Sequence, residues 1–314
     1  MTRRQTSTAP SEVSASLGMA LALLAVYAIW GCSYLATREA IQTIPPLLMV
    51  GGRLTLAGSL LYCGLRLGGF KRPRPEEWLG CAAIAAPLIV IANGATVYAQ
   101  LYVDSGLAAV AYATSPVWMA LFSGMIDRWP SRPEWIGIGL GLAGVAMLDT
   151  HANLRAYPLP AGALMLGSLS WAFGSVMSRR VRMPGSMMAS AAQLLIGGVT
   201  LLALGLVTGE RIAAMPTTIS VVSFFYLAIF SSLIGFSAFT YLVRHARPSV
   251  ALSHAYVNPA VAVAVGAIVA GETVTRLELL AIALIMAALV FATLLAGGLA
   301  ADLAHRPLVS EESV

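Results

Sequence analysis

The side chains able to do chemistry gather inside apolar stretches. Trp30, Ser33 and Tyr34 follow one another near the end of the first stretch, and Trp171 and Ser175 stand in Ser-Trp-Ala-Phe-Gly-Ser of a later one. An indole offers a broad apolar face and one N–H donor, which suits a small amphipathic solute. The other reading places these tryptophans in interfacial belts. Ser115-Pro116 and Asn258-Pro259 each set a polar residue before a proline about nine residues into an apolar run. A proline there lacks its N–H and frees the carbonyl one turn back. At membrane depth such a carbonyl is either satisfied by neighbours or lines a cavity. Pro116 and Pro259 are therefore candidate hinges or static kinks, and Ser115 and Asn258 candidate substrate contacts or repairs.

Arg53 is the one permanently charged side chain well inside an apolar run. Burying it at mid-bilayer costs about 2.5–3.5 kcal/mol on insertion scales, so it needs a partner. Glu39 is one candidate, and a carboxylate-bearing solute held by the bidentate guanidinium is the other. His254 is a candidate titrating group for proton coupling, because its ordinary pKa lies near neutrality. Glu272, after Ala270-Gly271, is a second coupling candidate or a cap for the final helix.

These residues require lipid around them. Of 314 residues 58% are hydrophobic and 11% charged, against about 25% charged in a soluble domain. A crossing helix needs roughly 20 apolar residues. Ten apolar runs are read as spans, near 17–36, 46–66, 78–99, 107–126, 135–149, 159–178, 187–207, 218–242, 250–270 and 278–298, the fifth being short at 15 residues. They are continuously apolar, which favours helices over the alternating strands of a barrel.

The last five runs echo the first five. Trp30 and Trp171 are 141 residues apart, and Pro116 and Pro259 are 143 apart. Two landmarks at nearly one offset predict two five-helix repeats, at 17–150 and 157–298, between tails 1–16 and 299–314. An odd number of crossings inverts the second repeat, a plan used by secondary transporters with a site near mid-bilayer. With the amino terminus inside, 14 of the 19 basic residues fall in cytoplasmic segments and 4 in outer loops. That bias predicts two cytoplasmic termini.

Other classes lack their signatures. The net charge of +5 belongs to the loops and asks for no nucleic-acid partner. Cys32, Cys63 and Cys81 lie in the first three runs without metal-like spacing, so neither metal nor other cofactor is expected. No GxxxxGK[ST] phosphate loop supports primary transport, and no HExxH or GxSxG supports catalysis. No catalytic residue is assigned. Intramembrane enzyme, channel and non-transporting sensor remain the competing classes. Gly137 and Gly141 form a GxxxG spacing, read as packing within a monomer or as a homodimer face.

The order of Ile29-Trp30-Gly31-Cys32-Ser33-Tyr34, Pro45-Pro46, Gly52-Arg53, Ser170-Trp171-Ala172-Phe173-Gly174-Ser175, Ala255-Tyr256-Val257-Asn258-Pro259 and Gly271-Glu272-Thr273 resembles the EamA branch of the drug/metabolite transporter superfamily, nearest its YedA-type members. The resemblance covers about residues 17–297. It implies an all-α carrier of ten helices in the inner membrane. It also implies export of amino acids, other small metabolites or drug-like compounds by alternating access. Carried over residue by residue, it places Trp30, Ser115, Trp171 and Asn258 at the cavity or hinges, and adds Asn93, Tyr98 and Tyr256. One departure stands out: Asp127-Arg128-Trp129-Pro130 replaces the Gly-Glu pair that often ends the fourth helix.

Overall fold

The computed structural model describes residues 12–103, 105–127, 129–148, 158–246, 248–251, 253–270, 276–277, 279–285 and 287. All secondary structure among them is helical. Among the described residues six helices are long and apolar enough to cross a membrane: Leu17–Ile41, Pro46–Leu67, Pro75–Ala99, Pro158–Met177, Ser186–Val207 and Thr218–His245. Their outer faces carry large apolar side chains in the open, among them Leu24, Leu60, Leu79 and Phe225. Such a surface is matched by lipid rather than water.

We label the helices α1 (Glu12–Ile41), α2 (Pro46–Leu67), α3 (Pro75–Ala85), α4 (Ala92–Ala99), α5 (Ser105–Tyr112), α6 (Ser115–Ile126) and α7 (Arg132–Leu148). The rest are α8 (Pro158–Met177), α9 (Ser186–Val207), α10 (Thr218–Tyr226), α11 (Phe236–His245), α12 (Pro248–Ala251) and α13 (His254–Ala270). Helix α1 begins at Glu12, five residues before the expected start of the first span. Glu272 lies outside the described residues, as does most of the expected tenth span.

Two features break the regular pattern. Helices α3 and α4 are joined by a π-helical stretch, Ala86–Ile91, and α10 and α11 by another, Leu227–Gly235. The stretches begin 141 residues apart. In the first, Pro87 has no N–H to give, and the Ala92 N–H reaches back five residues to its carbonyl. In the second, the Phe236 N–H reaches back five residues to Ser231. The expected fourth span is also two helices, α5 and α6, with Pro116 in the first turn of α6. There a proline costs nothing, because first-turn N–H groups have no helical partner.

Helices α2 and α9 cross antiparallel at close range. A methyl group on Gly51 would fall 2.5 Å from the Leu202 nitrogen, and one on Gly58 2.7 Å from that of Leu195. As positions rise along α2 they fall along α9. The first turn of α2 is completed from afar: the two Glu210 carboxylate oxygens accept from the Leu47 N–H at 3.1 Å and the Leu48 N–H at 2.9 Å. A carboxylate suits the positive end of a helix. Gly141 of α7 packs within the chain, against the Tyr256 ring.

Candidate functional site

In the middle of the bundle lies a cavity of about 130 Å³. Helices α1, α2, α4, α8 and α13 and the two π-helical stretches all contribute to its wall. Ile89 comes from one π stretch, and Ser231 and Ser232 from the other.

One end of the cavity is closed by packed rings. Trp30 and Trp171 meet edge to face with centroids 5.4 Å apart. Phe239 lies 5.2 Å from Trp30 and 4.8 Å from Trp171, and His254 lies 4.9 Å from Trp30. Edge-to-face contacts like that of the two indoles contribute about 0.5–1.5 kcal/mol beyond area burial. The Trp30 indole donates to the Ser231 carbonyl at 3.0 Å, and the Ser33 hydroxyl to the Ser231 hydroxyl at 3.0 Å. Past the rings is a second space of about 10 Å³, lined by Phe239, Ser175, Gln193 and Arg244 among others. The rings therefore divide the two spaces.

Another part of the wall is polar. Arg53, 8% exposed, donates to the Ser232 hydroxyl at 2.8 Å and to the Asn93 side-chain carbonyl at 3.1 Å. Glu39, its candidate partner from sequence, accepts instead from the Gln42 amide at 2.9 Å. Tyr34 packs on Tyr112, whose hydroxyl lies 2.7 Å from that of Thr96. Gln100 donates to the Tyr34 carbonyl at 3.3 Å.

The two prolines differ. Pro116 opens α6 and so breaks no bond inside that helix, and the carbonyl four residues before it, that of Tyr112, accepts from the Ser115 hydroxyl at 2.6 Å. Ser115 also lies 2.9 Å from the Ser168 hydroxyl and is fully buried. The carbonyl that Pro259 frees belongs to Ala255, which lines the cavity beside Asn258. The Asn258 side-chain oxygen is buried and has no partner among the described residues.

Of the positions singled out from sequence, Trp30, Ser33, Tyr34, Arg53, Asn93, Trp171, His254 and Asn258 line the cavity together. The others lie elsewhere. Ser115 packs on α8, and Ser175 lines the small second space and donates to the Trp171 carbonyl at 2.7 Å. Tyr98 is 41% exposed and packs on Tyr102. Tyr256 is buried among Val257, Ala260 and Ile285. Sequence reasoning passed over Thr37, Thr96, Gln100, Tyr112, Ser231 and Ser232, all of which line the cavity. Ser231-Ser232, an adjacent polar pair inside a long apolar run, was the legible signal among them.

A model of the EamA-like transporter family matches this chain twice, over residues 16–149 and 160–294. The chain belongs to the EamA-like transporter family. It is a multi-pass membrane transporter and not an enzyme. It is 41% identical over 274 residues to the Escherichia coli K12 protein described as the uncharacterized inner membrane transporter YedA, covering 87% of this chain and 90% of that one. It is 25% identical over 284 residues to a Salmonella typhimurium protein described as a probable amino-acid metabolite efflux pump, covering 86% and 92%. A solved crystal structure at 21% identity superposes with a TM-score of 0.72, covering 91% of this chain and 99% of that one. At that identity the likeness speaks for the fold alone. The membership accounts for a central polar cavity inside an apolar bundle, as EamA-like transporters act on solutes rather than on bonds.

Proposed function

We propose that this EamA-like protein is a secondary-active carrier that exports small organic solutes, amino acids, other metabolites or drug-like compounds, across the inner membrane. Ten spans in two inverted five-helix repeats, 17–150 and 157–298, alternate access to one mid-bilayer site, with both termini cytoplasmic. The observation that carries the reading is the central cavity closed at one end by Trp30, Trp171, Phe239 and His254. A mid-bundle cavity bordered by side-chain packing that can rearrange is what a carrier needs between half-cycles. The two family matches, the 141-residue offset of the π stretches and the antiparallel α2–α9 crossing support the repeat.

In this reading Trp30, Ser33, Tyr34, Arg53, Asn93, Trp171 and Asn258 contact the solute. Pro259 is the working hinge, and Pro116 a fixed turn. His254 and Glu272 are the proton-coupling candidates. The solute and membrane lipid are the only partners the mechanism requires, and a monomer suffices.

Counterflow in proteoliposomes, across amino acids, organic acids and cationic dyes, with and without a pH gradient, tests this. Saturable exchange of at least one class is expected. Trp171→Ala and Asn258→Ala should lower it while membrane abundance holds. No exchange of any class would favour the sensor, and normal kinetics in both variants would remove the pair from the site.

A further inference from the structure

Arg53 presents an unbalanced charge. The residue is buried, 8% exposed, yet its two hydrogen-bond partners among the described residues, Ser232 and Asn93, are both neutral. These take two of the five N–H groups a guanidinium carries. The buried Nε has no acceptor among the described residues. No ion pair joins Arg53 among the described residues. A buried cation held only by neutral groups is costly, and an opposite charge would offset much of that cost.

The cavity places that missing charge. Arg53 lines it, and a solute's anionic group that pairs with the edge of Nε and a neighbouring terminal nitrogen must first displace the packing that encloses Nε. A carboxylate fits that edge with two parallel N–H···O bonds. Ser232 and Asn93 fix the guanidinium plane, one at each terminal nitrogen. At the ring-closed end, Trp30, Trp171 and Phe236 supply apolar faces, and the buried Trp171 N–H also has no partner.

Resting on the carrier reading, we infer that the transported solute is an organic acid whose carboxylate is the counter-ion of Arg53 and whose apolar body lies on the tryptophan wall. Simple organic cations are excluded by the same fixed charge. The apolar wall selects hydrocarbon or aromatic bodies over sugars.

The test uses the purified full chain in detergent and reads thermal stabilisation by ligand. Phenylacetate, indole-3-acetate and hexanoate are each compared with the corresponding neutral amide, which keeps shape and removes charge. At least one acid should stabilise the protein at concentrations where its amide does not. Arg53→Lys should weaken that acid about tenfold or more, since a point charge cannot make the paired bonds. Arg53→Gln should abolish the acid-over-amide preference. Should that variant fail to accumulate, Ser232→Ala and its double mutant with Asn93→Ala keep the charge but loosen its mount, and should lower the acid-to-amide affinity ratio several-fold. The inference is overturned if every amide equals its acid, if no acid binds, or if these variants leave acid binding unchanged. Counterflow separates the two claims. Acid binding without exchange refutes the carrier and spares the Arg53 assignment, whereas saturable exchange of amides or dyes without acid binding does the reverse.

Discussion

Gly235 ends the second π-helical stretch directly against the Trp30 indole. A methyl group there would fall 2.5 Å from Trp30 Nε1 and 3.0 Å from Cδ1. Ordinary contact begins near 3.5 Å, so the indole must withdraw by about 1 Å. Its 3.0 Å bond to the Ser231 carbonyl then passes the range of a hydrogen bond. That loss is about 0.5–1.5 kcal/mol, and loosening the edge-to-face contact with Trp171 adds about 0.5–1.5. Gly235→Ala should therefore disfavour the ring-closed conformation by about 1–3 kcal/mol, a shift of roughly 5- to 150-fold in its population. Gly94, 141 positions earlier, is the control, since a methyl there meets only Leu201 Cδ2 at an ordinary 3.5 Å. Gly94→Ala should be neutral, or stabilising by up to about 1 kcal/mol from helix propensity. Thermal melting in detergent and counterflow in proteoliposomes read both variants. If Gly235→Ala melts and transports like Gly94→Ala, the rings do not close the cavity in the way described.

Two more outcomes follow from packing alone. Gly51→Ala drives its methyl to 2.5 Å from the Leu202 nitrogen, a backbone atom that cannot swing aside, and should cost about 1–3 kcal/mol in thermal unfolding. Gly64→Ala on the same helix meets nothing within 4 Å, so equal melting of the two would refute the close α2–α9 crossing. Ser115→Ala leaves the Tyr112 carbonyl without its hydroxyl donor and should lower stability by about 1–3 kcal/mol. The ratio of transport rates between solutes should stay unchanged, and a changed ratio would put Ser115 in the site after all.

What could be read in advance was whatever depends on composition and period. The long apolar runs of α1, α2, α8 and α9 announce themselves, and the repeated tryptophans mark the meeting of α1 and α8. Hydrogen-bond register is a different matter. Nothing in Leu-Ala-Ile-Phe-Ser-Ser-Leu-Ile-Gly distinguishes a π turn from an α turn, because the residue types suit either winding. Pro87 offered a hint for the first stretch, but a proline in a helix more often kinks it. Partner choice was equally hidden. Ser232, which holds Arg53, lies 179 residues away, so no local pattern could prefer it to Glu39. The prolines looked alike in sequence because each follows a polar residue. They part company because Pro116 opens a helix, where its missing N–H has no partner to lose, whereas Pro259 lies inside one.

The stretch Leu227–Gly235 also bears on how this chain tolerates length change. A helix already wound one residue per turn too wide has slack to give up. Removing a single residue there would let the coil tighten to the α form while leaving both flanks seated. The same removal in the middle of α2 would swing everything beyond it by about 100° away from α9.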